Sequence, residues 1–428
     1  MKPVKVAIDG KDNIKIPKML RIKQHFKNEE VTNYEQILEN DIKKIEDEFL
    51  NGKKIAITVG SRGITDIDQI IKSLVEILLK KGASPFIVPA MGSHGGATIE
   101  GQLEVLREYN ITEEYLGVPI KASMDVVEIG ALEDGTPIFC DQIAFKSDGI
   151  IVANKIKPHT DFKSDYESGL LKMMAIGLGN HKGASTLHSK GFDFFPELIP
   201  KVGSVFLKKA PILFGVAIIE NAYDKILHLE IVPKDLIFEL EKVFLNMAKE
   251  NIAKILLSEV DVLIVEEIGK NISGSGMDAN VTGRPGSGLN QSFDAAPIKK
   301  IIVLGVSKKS HGNGVGIGMA DLTTIKCVNQ IDFEAMYTNS LTATILNPSK
   351  IPMTVENDQE AILAAIKTCN NINFNQAKIV KIKNTLELHE IEVSESYIDE
   401  VNNRDEFEIL SKPYVLEFND KGDLTGKE

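Results

Sequence analysis

The sequence predicts an α/β protein, because short apolar runs rich in β-branched residues alternate with amphipathic stretches that have helical spacing. Residues 54–60 are typical of a buried strand, and residues 67–81 place their apolar side chains on one helical face before Gly82. Residues 85–90 resemble the next strand, so these three segments predict a β-α-β unit. Residues 149–154 repeat the strand pattern.

Two domains are expected, because a chain of 428 residues is longer than one hydrophobic core usually supports. A helical stretch at 234–257, followed by strand patterns at 260–266 and 300–305, indicates a second α/β unit. We therefore predict one domain at residues 1–255 and another at 256–428, with the active site in the cleft between them.

Composition narrows the class of protein. Hydrophobic residues at 43% and charged residues at 26% are ordinary for a globular protein, and the net charge of -12 argues against a nucleic-acid-binding surface. The longest apolar run, 210–219, is too short to span a membrane. Cys140, Cys327 and Cys369 are far apart, which predicts neither a disulfide framework nor a zinc-thiolate site. Because an acidic residue also follows the amino terminus too soon for a signal peptide, we expect a cytoplasmic enzyme without nucleic-acid or membrane partners.

Histidines and glycines concentrate at the ends of two predicted strands. His94 lies in the glycine cluster 91–98, and His159 follows the strand pattern at 149–154. Loops at the carboxyl ends of parallel strands are where open α/β sheets bind ligands. Imidazole can accept a proton, donate one or bind a metal near neutral pH. The sequence therefore predicts a reaction centre formed by these loops.

Five motifs occur in one order along the chain. They are Ser61-Arg62, Gly92-Ser93-His94, Pro158-His159, Ser168-Gly169-Leu170-Leu171-Lys172, and a later histidine that is either His188 or His181. In these motifs and their order the chain resembles the nickel-dependent lactate racemase family.

The resemblance implies a nickel pincer nucleotide, a nicotinate-derived cofactor that a lysine tethers. Here the lysine is Lys172, with Ser168 and Gly169 beside it in the cofactor site. Two histidines compete for the nickel. His188 stands sixteen residues after Lys172, the family's spacing, whereas His181 reproduces the family's local Asn-His pair. The spacing favours His188, and an imidazole nitrogen beside pincer donors suits a square-planar nickel centre.

The resemblance also implies the chemistry. A 2-hydroxy acid would lose a hydride to the pincer while a base takes its hydroxyl proton, and return of the hydride to the opposite face would invert the centre. His94 and His159 would each serve one enantiomer, and Arg62 would hold the substrate carboxylate through paired hydrogen bonds. Cofactor-biosynthesis enzymes would be needed for maturation. The implied activity is that of a racemase or epimerase.

A glycine-rich loop in the second half carries further candidates. Residues 274–279 match a dinucleotide fingerprint, but Asp278 would repel a phosphate and no convincing helix follows at once. Residues 278–281 resemble the family's Asp-x-Asn-Val segment, so we expect Asn280 and Arg284 to line a cofactor or substrate wall. A second glycine-rich loop at 310–318 either lines the cleft or turns the chain.

Departures from the family concern the substrate pocket. Val59 occupies the position of an acid, Thr282 and Gly283 replace a tyrosine and a glutamine, and the chain contains no tryptophan. These differences imply a 2-hydroxy acid other than lactate.

Two other classes of protein remain open from the residues alone. In a zinc or nickel hydrolase, His94, His159 and His188 would all bind the metal and a bound water would be the nucleophile. That reading leaves Lys172 without a role, and the sequence has no compact metal-ligand motif. A nucleotide-binding protein without catalysis would explain the glycine-rich loops but not the histidines.

Overall fold

The computed structural model describes residues 7–61 and 63–425. Contacts divide the chain into two compact units, Lys27–Ile252 and a second unit that joins Met1–Phe26 to Ala253–Glu428. The described residues up to Phe26 contact the second unit rather than the first. The division into domains at residues 1–255 and 256–428 stays a prediction.

The strands, in chain order, are β1 Met19–Gln24, β2 Lys54–Val59, β3 Ser84–Pro89, β4 Val126–Ala131, β5 Pro137–Asp141, β6 Gly149–Lys155, β7 Ile212–Glu220, β8 Ile226–Pro233, β9 Val260–Val265, β10 Ile298–Val303, β11 Leu322–Thr324, β12 Met353–Val355, β13 Ile379–Ile382, β14 Glu390–Ser394 and β15 Phe407–Ile409.

The helices are α1 Tyr34–Ile42, α2 Ile67–Lys80, α3 Ile99–Glu108, α4 Glu113–Leu116, α5 Gln142–Phe145, α6 Leu170–Lys172, α7 Asn180–His188, α8 Phe195–Lys209, α9 Ile237–Asn251, α10 Ala279–Thr282, α11 Ile325–Val328, α12 Phe333–Ala343, α13 Asp358–Thr368 and α14 Ile398–Asn402. A π-helical turn at Met173–Gly177 connects α6 to the segment before α7.

The unit Lys27–Ile252 is built on a five-stranded sheet in the order β3-β2-β6-β7-β8. Its first four strands are parallel and β8 returns antiparallel to β7. The strands predicted at 54–60, 85–90 and 149–154 and the helix predicted at 67–81 are confirmed as β2, β3, β6 and α2. Apolar residues on one face of α2, including Ile70, Leu74 and Leu78, are fully buried against this sheet's core.

The order of strands creates a switch point beside β2. β3, which follows β2 in the chain, lies on one side of it, and β6 lies on the other. In open parallel sheets, ligands bind at the carboxyl ends of strands beside such a reversal. The loops that follow β3, β2 and β6 carry His94, Ser61 and His159, so the fold places these three loops at one edge of the sheet.

The second unit contains an eight-stranded sheet in the order β12-β11-β10-β9-β13-β14-β1-β15. The strands predicted at 260–266 and 300–305 are confirmed as β9 and β10, which pair in parallel. β1 pairs antiparallel with β14 over Met19–Lys23 and Glu390–Ser394. This pairing is the physical reason why the first residues of the chain belong here.

Among the described residues, no helix combines the length and the apolarity that crossing a membrane requires. Cys140, Cys327 and Cys369 are buried free thiols.

Candidate active site

The His94 loop follows β3 and depends on close backbone contacts. The backbone of Gly95 has a φ of +65°, and a Cβ on Gly101 would lie 1.9 Å from the carbonyl oxygen of Gly95. Thr98 caps α3 by accepting the N–H of Gly101 at 3.1 Å. The loop therefore folds tightly against the start of α3. It leaves the His94 side chain exposed.

Ser61, at the end of β2, meets His94 directly, since its Oγ hydrogen-bonds to Nδ1 of the imidazole. Tyr109 fixes the serine backbone, because its hydroxyl donates to the carbonyl oxygen of Ser61 at 2.9 Å. A hydroxyl can donate and accept, so Ser61 is able to support either neutral tautomer of His94. Arg62, the predicted carboxylate-binding residue, lies outside the described residues.

His159 is nearly buried in the loop after β6, with 8% of its surface exposed. The backbone N–H of Asp161 donates to Nδ1 of the ring at 3.0 Å, while the nearer carboxylate oxygen of Asp161 lies 4.0 Å away. The amide contact is the closer of the two, and it determines which nitrogen of the His159 ring carries the proton. A nitrogen that accepts an N–H carries no proton, so the neutral ring has its proton on Nε2.

Glu167 stabilises the loop that carries His159. Its carboxylate is fully buried and accepts the backbone N–H of His159 at 2.6 Å. Lys249, on α9, lies 2.7 Å from the other oxygen, and Lys163 lies 3.4 Å from the first. The two lysines compensate the buried charge, which makes Glu167 a fixed support for the backbone of His159.

An aromatic cluster connects His159 to His188. The ring centroid of Phe192 lies 5.9 Å from that of His159 and 5.5 Å from that of His188. Phe162 packs on His159 at 4.4 Å, and Phe195 meets His188 edge-on at 5.3 Å. These apolar rings thus contact two of the predicted site residues, His159 and His188.

Lys172 and His188 influence each other electrostatically. Burial, the larger cause, and the positive charge of Lys172 together lower the pKa of His188 to about 4. Lys172 ends α6, and its Nζ lies 3.5 Å from the hydroxyl of Ser168. His188 is consequently a neutral imidazole at physiological pH, which is the form that binds metals.

His181 has a different environment on the same helix. It is exposed near the amino terminus of α7, whereas His188 ends that helix. A helix rises about 1.5 Å per residue, so the two backbones are separated by about 10 Å along the axis. They are alternatives, not partners, for one metal. The described residues contain no group of three histidine, cysteine, aspartate or glutamate side chains that could hold a metal ion.

A backbone contact connects the lysine segment to the His94 loop. The N–H of Gly92 donates to the carbonyl oxygen of Gly177, the last residue of the π-helical turn, at 3.2 Å. This contact joins the loop after β3 to the segment that begins at Lys172. The arrangement of His94 and His159 on opposite faces of a substrate stays a prediction.

Asn280 and Arg284 belong to the other unit. Arg284 pairs with Asp321 at 2.7 Å and donates to the carbonyl oxygen of Met319 at 3.1 Å. Asn280 is buried, and its side-chain amide donates to Asp278 at 2.8 Å. The sequence did not indicate that Arg284 is engaged in an ion pair. Roles for both residues toward a cofactor stay predictions.

The glycine-rich loops of this unit pack on each other. A Cβ on Gly276 would lie 1.7 Å from the carbonyl oxygen of Val315, so residues 274–279 and 310–318 touch backbone to backbone. The short helix α10 begins directly after the first loop, where the sequence indicated no convincing helix. The dense backbone packing gives residues 310–318 a structural part in this unit.

Sequence reasoning assigned no role to three carboxylates, Asp161, Glu167 and Glu241. Asp161 and Glu167 stand close to His159 in the chain, and that proximity was the available signal. Glu241 had a different signal, since it occupies the apolar face of α9 with Ile237 and Phe244. An acid at a core position marks a group whose burial needs an explanation.

Comparison with known proteins places the first part of the chain. Residues 2–193 match the sequence pattern of the family described as lactate racemase N-terminal domain. No curated protein matches the chain with significant similarity. Among solved structures, the fold is similar to that of the lactate racemase apoprotein from Thermoanaerobacterium thermosaccharolyticum, with a TM-score of 0.52 and 14% identity. The match covers 86% of this chain and 99% of that chain, and it confirms the α/β prediction.

The matched range contains the motifs of the Lys27–Ile252 unit: Ser61-Arg62, His94, His159, Ser168-Gly169, Lys172, His181 and His188. Asn280 and Arg284 lie beyond it. Residues 2–193 are thus similar to the lactate racemase N-terminal domain, and the fold is similar to that of a solved lactate racemase apoprotein.

Proposed function

We propose that this chain is a member of the lactate racemase family, that it is a racemase or epimerase of a 2-hydroxy acid, and that it works with a nickel pincer nucleotide tethered at Lys172. The substrate would differ from lactate, because Val59 in β2 is buried and apolar where the family has an acid. A cytoplasmic location and maturation by cofactor-biosynthesis enzymes are parts of the same proposal.

The observation that carries the proposal is the proximity of Lys172 to His188. The family's tether and its nickel ligand must serve one cofactor, and the charge of Lys172 adds to burial, the larger cause, in lowering the pKa of His188. A neutral imidazole, an amine and an apolar wall of Phe192 and Phe195 suit a cofactor that brings its own sulfur and carbon donors. We therefore favour His188 over the exposed His181 as the ligand.

When bound, the pincer nucleotide would supply a hydride acceptor beside the substrate. The chain's own residues would handle the hydroxyl proton. His94 can take it at Nε2 when Ser61 accepts the hydrogen on Nδ1. Arg62 would hold the carboxylate. Roles of Asn280 and Arg284 toward the cofactor or substrate are part of the same proposal.

His159 needs a change of partner before it can move a proton. A ring that accepts and releases a proton at Nε2 must carry a hydrogen on Nδ1, and the N–H of Asp161 now occupies that position. The carboxylate of Asp161, 4.0 Å from Nδ1, is the nearby acceptor for such a hydrogen. We propose that a small rotation exchanges the amide for the carboxylate and so supports the imidazolium.

The activity is tested with single enantiomers of several 2-hydroxy acids in deuterated water, using protein produced together with the pincer-biosynthesis enzymes. The proposal predicts inversion with little deuterium at the α-carbon, because the α-hydrogen does not exchange with water. Substantial deuterium would indicate proton abstraction at carbon. Absence of inversion across the panel in protein that carries the cofactor would contradict the proposed reaction class.

A further inference from the structure

Helix α9 braces the segment that runs from His159 to Lys172. Lys249 of this helix pairs with Glu167, at 2.7 Å. Phe238, near the start of the helix, meets the ring of Tyr166 edge-on at 5.4 Å. The helix lies beyond residue 193 and outside the family match. It nevertheless contacts the segment that carries the candidate residues.

Glu241 makes the contact nearest to the lysine. The residue is 1% exposed, and its Oε2 accepts the backbone N–H of Leu171 at 2.9 Å. Leu171 immediately precedes Lys172 in α6. The other oxygen, Oε1, has no hydrogen-bond partner within the described part of the chain.

Gly169 completes the arrangement. A Cβ at this position would lie 2.4 Å from Oε1 of Glu241, so the carboxyl group occupies the space that any larger residue would need. On its other side, the side-chain amide of Asn154 donates to the carbonyl oxygen of Gly169 at 2.8 Å. The turn before Lys172 is thus held between Asn154 and Glu241.

Burial of the Glu241 carboxyl group lowers the stability of the fold. Burial raises the pKa of Glu241 to about 8, and its unpartnered oxygen has lost its hydration. Ile237, Phe244 and Leu245 belong to the buried face of α9, and an apolar side chain at position 241 would continue the apolar part of that face. Residues that weaken a fold commonly serve function, because activity needs an arrangement that stability alone would not select.

We propose that Glu241 is a positioning residue for Lys172, which fixes the turn before the lysine by holding the backbone N–H of Leu171. The use of Lys172 as a tether rests on the proposed function. The positioning itself is a property of the cofactor-free protein and is measured there.

The test compares four full-length proteins made without the cofactor: wild type, Glu241→Leu, Glu241→Gln and Glu239→Leu. Glu239 is exposed on the same helix and gives the matched control. Each protein is acetylated briefly with an N-hydroxysuccinimide ester. Peptide mass spectrometry then gives the labelling rate of Lys172 relative to that of the exposed Lys182.

We expect Glu241→Leu to raise this ratio at least about threefold, because a loosened turn lets the half-buried lysine reach water. Glu241→Gln retains an oxygen that accepts the N–H of Leu171, so its ratio should stay close to that of wild type. Glu239→Leu should behave as wild type.

Thermal unfolding separates positioning from a structural role. Glu241→Leu removes the unpartnered oxygen but also leaves the buried N–H of Leu171 without its acceptor, so the two effects should offset each other and the variant should unfold close to the wild-type temperature. A Leu variant that fails to fold or melts clearly below wild type would make Glu241 a structural residue and overturn the proposal. An unchanged labelling ratio in the Leu variant, or a Gln variant that resembles it, would also overturn the proposal. Failure to find a cofactor on Lys172 would affect only the proposed function.

Discussion

The backbone N–H of Asp161 donates to Nδ1 of His159, and this one contact sets the protonation pattern of the ring. The neutral imidazole carries its proton on Nε2 and the imidazolium is disfavoured, because the amide hydrogen occupies the position that a second ring hydrogen would take. The cofactor-free protein therefore holds His159 in a state that requires rearrangement before proton transfer.

Nitrogen NMR of histidine-labelled protein tests this state. At neutral pH we expect the Nδ1 of His159 to have the chemical shift of an unprotonated ring nitrogen and Nε2 that of a protonated one. A His159→Gln protein identifies the signals by their loss. A protonated Nδ1 in the cofactor-free protein would contradict the hydrogen-bond assignment.

The buried carboxylate of Glu167 gives a stability prediction. Glu167→Gln removes the charge that compensates Lys249 and Lys163, so the free energy of unfolding should fall by about 2 kcal/mol, less than for a fully buried pair because both lysines partly reach water. Chemical denaturation measures the change. Glu197→Gln is the control, since Glu197 forms an exposed pair with Lys201 and should lose at most about 0.5 kcal/mol. Equal losses in both variants would refute the supporting role of Glu167.

Glu241 makes stability depend on pH. The folded protein keeps its proton up to pH about 8, whereas the unfolded chain releases it above the ordinary value of 4.5. The folded state then binds more protons, so the free energy of unfolding should fall as the pH rises through this window, by at most ~1.4 kcal/mol per pH unit. Glu241→Gln has no ionisable group at this position, so its free energy of unfolding should not fall in this way. Relative to wild type, the variant should become more stable between pH 5 and pH 8. Parallel denaturation profiles would show that Glu241 ionises normally in the folded protein.

Nickel retention distinguishes His188 from His181. In protein matured with the pincer-biosynthesis enzymes, His188→Ala should contain at least about tenfold less nickel than wild type, because one missing donor opens a four-coordinate site. His181→Ala, seven residues away on the same helix, should keep it. Elemental analysis of the purified variants gives the answer. Nickel in His188→Ala equal to that in wild type would remove His188 as the ligand.

The sequence predicted the parts of the fold that hydrophobic periodicity determines. The boundaries of β2, α2 and β3 agree with the predicted ones to within about two residues, because each has an uninterrupted apolar pattern. The placement of β1 in the sheet of the second half was not predictable, since its pairing with β14 spans almost the entire chain.

The candidate site shows the same division. His94, His159 and Lys172 were found from local motifs, because each lies in a glycine-rich or strand-end segment. Glu241 was missed, since its contact with Leu171 joins residues 70 positions apart. Local motifs indicated the candidate groups for chemistry. The residues that hold those groups depend on tertiary packing.

Mass spectrometry of protein produced together with the pincer-biosynthesis enzymes decides whether Lys172 tethers the cofactor. We expect an intact mass above that of the bare chain and an adduct on the peptide that contains Lys172. A Lys172→Ala variant should have the unmodified mass, whereas Lys182→Ala should carry the adduct as wild type does. An unmodified mass in wild type, under conditions that load a known lactate racemase, would contradict the tether and with it the proposed cofactor.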